Sequence, residues 1–515
     1  MRKTWMEVII ITLVAGFIMF FQLGEIPLLD PDEPVYAQTA REMLAAHDFV
    51  SPRIYGDFWY DKPPMYYWLV SGSFKLLGQS EFTARFPSAV LAVCGGLLVY
   101  FGGKSLMNQR AGFISALVLS TSIEYFYLGK AAVTDMTLTF FLTAALLCYL
   151  QRKYYLAYMA AGMAVLTKGP IGIVFPGMIV LLHLILTKKL QTVKHMKVIS
   201  GGFLVALVSL PWYLAMYHFH GMDFINTFLG FHNVTRFLQP EHSTGVLWYY
   251  YIPVLLVGFF PWTMFLAQSL WSSFRNRNQP DGDIPFFLFI WAMIVFVFFS
   301  ISQTKLISYI LPMYPPLALL VGKYIDQCIA GGISGLFKKP AMILTFFIVA
   351  FQALIVFVVI KEMPALLPGA VVIGVVFSAV VGGTWLTIYY KRNMEFIGVV
   401  VAGMIAFVVI LMSCLFPAAA PYFTVKNFTP KFQEHYDGSA PVYIAKFYRP
   451  GFTYYVGNPG IELAGNKQFV DLLTTDCGAM YFVVRKKDYL RLSAAERDQL
   501  RLLDQEEDVM LLRKN

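Results

Sequence analysis

Two neighbouring acids follow the first apolar segment of the chain and give the first indication of chemistry. The stretch Asp30-Pro31-Asp32-Glu33 comes soon after an apolar run that ends at Phe21. Carboxylates grouped in this way bind a divalent metal, or one of them acts as a general base. The same residues fit the start of a helix, where acids cap free N–H groups and suit the helix dipole. The motif therefore predicts either catalysis by Asp32 and Glu33 or a helix cap.

A second group pairs an acid with a base just ahead of a predicted helix. Asp61-Lys62-Pro63-Pro64 precedes the helical stretch 65–77, and prolines are typical of a first helical turn. An anion at that helix N-terminus would meet free N–H groups and Lys62 together. The structural alternative is a surface turn.

Further cations and an aromatic hydroxyl lie on the same predicted side of the membrane. Arg53 belongs to the first long loop, and Lys305 and Tyr309 begin a predicted span four residues apart. If that segment is helical, both side chains point at one site. Snorkelling at the interface is the alternative for Lys305.

A third acid–base group brackets the outer end between two spans. Lys130 precedes Asp135, which is the only acid in its apolar stretch. A charge there needs a partner or a role, so the group predicts either a functional site or a structural pair. The turn Thr167-Lys168-Gly169-Pro170 lacks the upstream glycine of a P-loop, and we interpret it as structural.

The second long loop offers a possible metal ligand. His232 and Arg236 are four apart and share a face if 224–238 is helical. His232 could bind a divalent metal with Asp61 or Glu33. A hydrogen-bonded structural histidine is the alternative.

The elements that position these residues are membrane spans. The chain is 58% hydrophobic and 14% charged, whereas soluble domains average about 25% charged residues. The net charge of +9 does not indicate nucleic-acid binding, since basic residues of membrane proteins collect in cytoplasmic loops. Apolar stretches predict about thirteen spans. They lie near 5–24, 83–103, 111–128, 132–150, 154–167, 170–187, 197–217, 246–271, 284–302, 307–326, 341–361, 367–390 and 395–417.

Loop charges orient these spans. With the N-terminus inside, the alternate loops that carry the Lys and Arg pairs all fall on the cytoplasmic side. The first span lacks a cleavage site, so we expect it to stay uncleaved. An odd number of spans places the C-terminus outside, in the periplasm of a bacterial-type inner membrane. The loops 25–82 and 218–245 are also outside, the first with interfacial helices at 33–46 and 65–77.

The sequence changes character near residue 420. Apolar runs at 442–445 and 480–484 predict strands, and 493–503 predicts a helix begun by a Ser cap. We expect an all-α polytopic membrane domain over 1–419 and a small soluble α/β domain over 420–515.

Taken together and in order, these motifs resemble one family. They are similar to the aminoarabinose transferase branch of the GT-C membrane glycosyltransferases, a family that includes protein mannosyltransferase relatives. The resemblance covers about 1–325. The motifs are Asp32 to Ala37, Arg41 to Leu44, Pro52-Arg53, Asp61 to Pro64, Arg85 to Ser88, Asp135-Met136, Leu166 to Pro170, Pro211 to Tyr213, His232 to Phe237, Pro261-Trp262 and Lys305 to Pro312.

The resemblance implies a polyprenyl-phosphate-linked sugar donor and transfer on the periplasmic face to an envelope acceptor such as lipid A. It also implies that Asp32 is catalytic and that Lys62 faces the donor phosphate. Three positions depart from the family pattern: Asp61 replaces Glu, Lys130 replaces Arg, and the Glu before His232 is missing.

We assign stabilisation of the negative charge on the leaving lipid phosphate to Lys62, Lys305, Arg53 and Tyr309, because preorganised cations stabilise developing negative charge. Direct displacement predicts inversion at the anomeric carbon. We expect a monomer, with a divalent metal as a possible cofactor.

Three alternatives stay open. They are transfer to a protein or another glycan, ligation of large glycans, and transport of a lipid or sugar without chemistry. A transporter carries broken helices and polar residues at mid-membrane, whereas the spans here are apolar with polar groups at one face. That contrast favours an enzyme.

Overall fold

The computed structural model describes residues 2–235, 247–331, 334–362, 366–474 and 478–514. The chain divides into two compact units. We call Met1–Phe21, Tyr60–Tyr66 and Arg85–Leu411 the membrane unit. We call Gln22–Trp59, Tyr67–Ala84 and Met412–Asn515 the loop–tail unit.

Helices make up most of the chain before residue 411. In chain order they are α1 (Arg2–Phe20), α2 (Asp32–Ala45), α3 (Met65–Leu77), α4 (Glu81–Leu106), α5 (Gln109–Ser120), α6 (Ile123–Gly129), α7 (Thr134–Leu150), α8 (Tyr154–Lys168), α9 (Ile171–Leu186), α10 (Val198–Ile225), α11 (Tyr251–Gly258), α12 (Thr263–Arg275), α13 (Asp283–Ile301), α14 (Tyr314–Ala330), α15 (Lys338–Glu362), α16 (Leu367–Tyr389) and α17 (Asn393–Ile410).

Membrane-spanning helices are confirmed, although their number is not. Within the described residues, seven helices are long and apolar enough to cross a bilayer: α1, α4, α10, α13, α15, α16 and α17. Two bent pairs raise the number to nine. The predicted spans 132–150, 154–167, 170–187 and 307–326 coincide with α7, α8, α9 and α14, which have only 15 to 17 residues. The total of thirteen stays a prediction.

The two bent pairs are breaks that the sequence analysis did not predict. α5 and α6 meet at 66°, and α11 and α12 meet at 113°. The breaks contact each other: the indole Nε1 of Trp262 donates to Thr121 Oγ1 at 2.8 Å, and the Ile123 N–H donates to the Phe260 carbonyl at 3.3 Å. Broken helices are tolerated in a bilayer where the freed polar groups find such partners. Broken helices are therefore present, so the contrast with a transporter rests on the apolar composition of the spans and not on unbroken helices.

Lys130, a site candidate from the sequence, binds carbonyl groups at the C-terminal end of the first span. Its ammonium donates to the carbonyls of Phe21 at 2.6 Å, Met19 at 3.2 Å and Ile18 at 3.4 Å. Met19 and Ile18 are in the last turn of α1 and Phe21 follows its last residue, and carbonyls at a helix C-terminus have no helical N–H available. A cation at a helix C-terminus also complements the dipole. The structure therefore gives Lys130 a structural contact, and a role in the reaction stays a prediction.

We expect Lys130→Met to lower the stability of the membrane unit by about 3 kcal/mol, because buried carbonyls lose a charged donor. The shift in thermal midpoint of the detergent-purified protein measures this effect. Lys75→Met is a suitable control, since Lys75 is an exposed lysine on α3. Equal midpoints for the two variants would contradict the capping role.

The loop–tail unit contains a five-stranded mixed sheet. Its strand order is β4-β3-β5-β7-β6, with β3 parallel to β4 and β5, and β7 antiparallel to β5 and β6. These strands are β3 (Val442–Ala445), β4 (Ile461–Leu463), β5 (Met480–Arg485), β6 (Leu500–Glu506) and β7 (Val509–Lys514). The short strands β1 (Arg53–Ile54) and β2 (Asp57–Phe58) form a hairpin in the first loop.

The sheet is buried on both faces. Tyr481 and Val483 of β5 belong to one core, and Met480, Phe482 and Val484 belong to the other. Alternate residues of a strand point to opposite faces, so helices must cover both sides. The helices of this part of the chain are α18 (Phe416–Ala419), α19 (Thr429–His435), α20 (Arg449–Val456), α21 (Asn466–Thr474), α22 (Lys486–Leu490) and α23 (Ala494–Arg497). Residues of α19 and α20 belong to the first core, and residues of α21 belong to the second. The predicted α/β tail is thus present.

One prediction in the tail was partly wrong. Ser493 does cap a helix, in a capping box with Glu496, but that helix ends at Arg497 rather than near 503. β6 takes over from Leu500. Buried and exposed residues do not alternate along β6, which lies at the edge of the sheet and has a register shift between Leu502 and Asp504.

Candidate functional site

In the membrane unit, a carboxylate, a lysine and a tyrosine meet at the ends of three elements. Lys168 Nζ lies 2.6 Å from Asp135 Oδ1 and 4.7 Å from the centroid of the Tyr309 ring. Asp135 is in the first turn of α7 and Lys168 is the last residue of α8, so each charge complements its own helix dipole. Gly169, at φ 81°, ends α8 in a conformation that favours glycine. We name Asp135, Lys168 and Tyr309 the lysine cluster.

The lysine cluster includes a residue that the sequence analysis set aside. We interpreted Lys168 as part of a structural turn, whereas the structure places its ammonium in an ion pair and over an aromatic face. The signal was available: Asp135 was the only acid in an apolar stretch and needed a cation. Lys130, which is nearer in the chain, is the cation that the sequence suggests.

Lys305 is almost fully buried and lies four residues before Tyr309 of the lysine cluster. It is 3% exposed and donates to the Ser302 carbonyl at 2.5 Å. Burial lowers the pKa of Lys305 from its usual value, because a charged ammonium is disfavoured away from water. Retaining a lysine in such a place is costly unless a negative group compensates it.

The segment from Lys305 to Tyr309 is not an α-helix, so helical spacing does not bring the two side chains together, and a shared site stays a prediction. Lys305 precedes the 3-10 helix Ile307–Met313, and α14 begins only at Tyr314. Prolines at 312, 315 and 316 explain the delay, because proline lacks the N–H needed inside a helix and suits a first turn. Tyr309 nevertheless lies in the lysine cluster.

Asp61 and Lys62 form an ion pair in the membrane unit. Lys62 Nζ lies 2.9 Å from Asp61 Oδ1, and the two side chains are 14% and 12% exposed. They precede α3, as predicted. The pair holds the ammonium ahead of the helix N-terminus, where both would attract an anion.

In the loop–tail unit, the two acids of the first motif have different environments. Glu33 is 5% exposed, and its Oε2 accepts the Leu29 N–H at 2.9 Å. Asp32 is the first residue of α2 and is exposed. The N-cap of α2 is Pro31, and no side chain makes a cap hydrogen bond there, so of the predicted helix start only the two acids in the first turn are present. Of the two carboxylates, only Asp32 is presented on the surface.

Arg53 is held within the first loop. Its guanidinium pairs with Asp48 Oδ2 at 3.1 Å and lies 4.4 Å from the centroid of the Phe58 ring. Both contacts belong to the neighbourhood of the β1–β2 hairpin. Contact of Arg53 with a donor phosphate stays a prediction.

The second loop is only partly described. A π-helix covers Asn226–Thr235, so the predicted helical segment 224–238 is present up to residue 235. Arg236 and the side chain of His232 lie outside the described residues. In the described part of the chain, no group of three or more His, Cys, Asp or Glu residues could hold a metal ion. A metal at Asp61 and His232 stays a prediction.

We expect the pair Asp135–Lys168 to behave as one unit. Asp135→Asn or Lys168→Met alone leaves a buried charge unpaired, which costs about 3–5 kcal/mol. The double variant removes both charges and should recover most of that loss, as a double-mutant cycle of thermal midpoints measures. Additive losses in the double variant would contradict a direct pair.

Together these features define a polytopic helical membrane protein whose candidate site carries buried lysines and suits an anionic ligand. Comparison with known proteins narrows this class. A profile of the family described as dolichyl-phosphate-mannose-protein mannosyltransferase matches residues 61–214. The undecaprenyl phosphate-alpha-4-amino-4-deoxy-L-arabinose arabinosyl transferase of Edwardsiella ictaluri is 31% identical over 334 residues. The match covers 61% of this chain and 59% of that relative.

Solved structures share the fold over nearly the whole chain. ArnT from Cupriavidus metallidurans, crystallised with undecaprenyl phosphate, superposes with a TM-score of 0.83 at 21% identity, covering 98% of this chain and 97% of that one. The oligosaccharyltransferase of Archaeoglobus fulgidus gives a TM-score of 0.58 at 12% identity, covering 94% and 70%. The comparisons confirm the predicted resemblance: the chain is similar to arabinosyl transferases over about three fifths of its length and shares the fold of ArnT.

Proposed function

We propose that the chain is a glycosyltransferase of the inner membrane. It transfers a monosaccharide from a polyprenyl-phosphate donor to an envelope acceptor such as lipid A, on the periplasmic face and with inversion at the anomeric carbon. Two findings on relatives support the donor: the name of the Edwardsiella ictaluri protein contains undecaprenyl phosphate, and the ArnT crystal structure holds that lipid.

The observation that carries the proposal is the burial of lysines in the membrane unit. Lys305 is 3% exposed, and the side chain of Lys168 is 14% exposed and contacts Tyr309, four residues beyond Lys305. One carboxylate, that of Asp135, is paired with Lys168. Buried ammonium groups of this kind suit an anionic ligand, and a lipid phosphate is an anion delivered from the bilayer.

The proposed chemistry follows the charge. The bond between the sugar C1 and the phosphate oxygen breaks, and the polyprenyl phosphate leaves with its electron pair. Lys62 and Lys305 stabilise the negative charge that grows on the phosphate, in an environment of low dielectric. Tyr309 and Arg53 are the further donors.

Asp32 acts on the acceptor. An exposed carboxylate can orient an attacking hydroxyl group and accept its proton as the new bond to C1 forms. If the acceptor oxygen belongs to a phosphate, no proton has to leave, and Asp32 positions the acceptor only. A metal stays a prediction, and no step of this proposal depends on one.

The acceptor is the least constrained part of the proposal. The matched family is described as transferring mannose to protein, which supports a protein acceptor as the second candidate. Mass spectrometry of lipid A and of envelope proteins, from cells with and without the gene, tests both. A mass increase of one sugar on lipid A supports the first candidate, and an increase only on proteins supports the second. No change on any envelope molecule would contradict transfer.

A further inference from the structure

A helix of the C-terminal tail is held at both ends by residues of the first loop. At the N-terminus of α20, the Gly451 N–H donates to Asp30 Oδ1 at 2.9 Å. At its C-terminus, the Arg41 guanidinium donates to the Tyr454 carbonyl at 2.9 Å and to the Thr453 carbonyl at 3.1 Å. All these residues belong to the loop–tail unit.

The charges of these contacts match the helix dipole. Asp30 lies at the positive end of α20 and accepts an N–H of the first helical turn, which has no acceptor inside the helix. Arg41 lies at the negative end and donates to the Tyr454 carbonyl and to the Thr453 carbonyl, which also accepts the Gly457 N–H. Two further contacts hold α20 against the first loop. The Tyr455 hydroxyl accepts the Leu28 N–H at 2.7 Å, and Arg41 lies 4.9 Å from the centroid of the Tyr454 ring. An orientation that satisfies both ends of a helix leaves little freedom.

The contact at Gly451 is too close for a side chain. A Cβ atom there would lie 2.4 Å from Asp30 Oδ1 and 2.5 Å from Oδ2. Asp30 itself is 7% exposed, and burial raises the pKa of its carboxyl well above the usual value. The backbone of α20 therefore packs directly against the residue that precedes Pro31 and Asp32.

Asp30 and Arg41 also flank the exposed acid of the first loop. Asp32 opens α2, and Arg41 lies within the same helix. Since a helix moves as a rigid rod over this length, fixing Arg41 and Asp30 fixes the direction in which the start of α2 presents Asp32. A second contact braces the other side of α2: Glu42 accepts the N–H groups of Tyr55 at 2.9 Å and Gly56 at 3.0 Å.

We propose that α20 of the C-terminal tail is the element that positions Asp32, with Asp30 and Arg41 as the positioning residues and Gly451 as the point of closest approach. This inference rests on the proposed function of Asp32. It gives the tail a task in the reaction: the tail holds the start of α2 in place and itself contacts no substrate. A displacement of about 1 Å at a reacting group costs roughly 10²-fold in rate.

The sharpest test is Gly451→Ala, which changes no charge. Gly451 has helical backbone geometry inside α20, so alanine suits the helix itself and disturbs only the contact with Asp30. Arg41→Met removes the other contact, and Arg41→Lys keeps the charge without the two-pronged donor. Arg497→Met is the matched control, because Arg497 also donates to backbone carbonyls, those of Leu492 and Leu490, but within the tail.

Two measurements on the detergent-purified full chain decide the outcome. The first is transfer from undecaprenyl-phosphate aminoarabinose to lipid A, with kcat and the donor KM determined separately. The second is hydrogen–deuterium exchange of peptides covering 32–45. For Gly451→Ala and Arg41→Met we expect kcat to fall roughly 10²-fold at an unchanged donor KM, with faster exchange at the start of α2. Arg41→Lys should recover part of the rate, and Arg497→Met should match the wild type.

Wild-type kcat and exchange in both Gly451→Ala and Arg41→Met would overturn the positioning role. Loss of rate in Arg497→Met equal to that in Arg41→Met would also overturn it, because general instability of the tail would then explain both. If the wild type transfers no sugar, the proposed function fails, and the exchange of 32–45 alone decides whether α20 orders α2. If Gly451→Ala does not accumulate, the comparison of Arg41→Met, Arg41→Lys and Arg497→Met carries the test.

Discussion

Asp32→Asn is expected to lower sugar transfer by roughly 10²–10⁴-fold, the range that a general base contributes. Asparagine keeps the size and the exposed position at the first residue of α2 but cannot accept a proton. The loss should appear in kcat, with the donor KM little changed, because the proposed contacts of the donor phosphate come from Lys62 and Lys305. Steady-state rates of transfer to lipid A by the purified variant measure the effect.

Glu33→Gln provides the matched control for Asp32→Asn. Both changes neutralise one acid of the same motif, but Glu33 is buried and accepts a hydrogen bond from the Leu29 N–H. Glutamine retains an oxygen that can accept this hydrogen bond, so we expect at most a tenfold loss of rate, about the cost of one weakened hydrogen bond. Full activity of Asp32→Asn would refute its catalytic role. An equal loss in both variants would indicate that the motif only shapes the loop.

If the acceptor group is a phosphate, we expect Asp32→Asn to change kcat and the acceptor KM in a different way. If the attacking oxygen belongs to a phosphate, no base is needed, and Asp32→Asn should then raise the acceptor KM more than it lowers kcat. Measuring both constants with an acceptor that carries a hydroxyl group, and with one that carries a phosphate, separates a base from a positioning group.

Local features were predictable from the sequence where local chemistry decides the structure. The helix 65–77 coincides with α3, and the predicted helix 33–46 lies within one residue of α2 at both ends. The prolines at 63 and 64 mark the start of α3, and apolar length marks the long spans. The strands at 442–445 and 480–484 were predicted for the same reason, because short apolar runs rich in β-branched and aromatic residues favour a buried strand.

Features that depend on distant residues were not predictable. At the break between α5 and α6, Thr121 accepts a hydrogen bond from Trp262, which lies about 140 positions away in the chain. An apolar run does not indicate where such a break will occur. Lys168 belongs to a turn that matches no P-loop, and although the sequence indicated that Asp135 needs a cation, only the structure shows that Lys168 of another helix is that cation. The hydrogen bonds of α20 with Asp30 and Arg41 join residues separated by more than 400 positions. Asp30 was interpreted as part of a helix cap, whereas its carboxylate serves a different helix.

Lys62 should give the second large effect. The proposed contact of its ammonium with the donor phosphate strengthens as the C1–O bond breaks, because negative charge accumulates on the phosphate. Contacts that strengthen in the transition state act on kcat as well as on kcat/KM. We therefore expect Lys62→Gln to lower kcat/KM roughly 10²–10³-fold, the loss seen when one preorganised donor is removed. Lys62→Arg keeps a charge and should retain more of the rate.

The ion pair with Asp61 supplies a control that separates catalysis from folding. Lys62→Gln leaves the half-buried Asp61 carboxylate without its 2.9 Å partner, which by itself destabilises the site. In the double variant Asp61→Asn, Lys62→Gln both charges are gone, so the thermal midpoint should return toward that of the wild type. If Lys62 contacts the donor phosphate, transfer stays low in the double variant although the fold recovers. If transfer recovers together with the midpoint, Lys62 serves only to neutralise Asp61, and the phosphate must be bound by other residues.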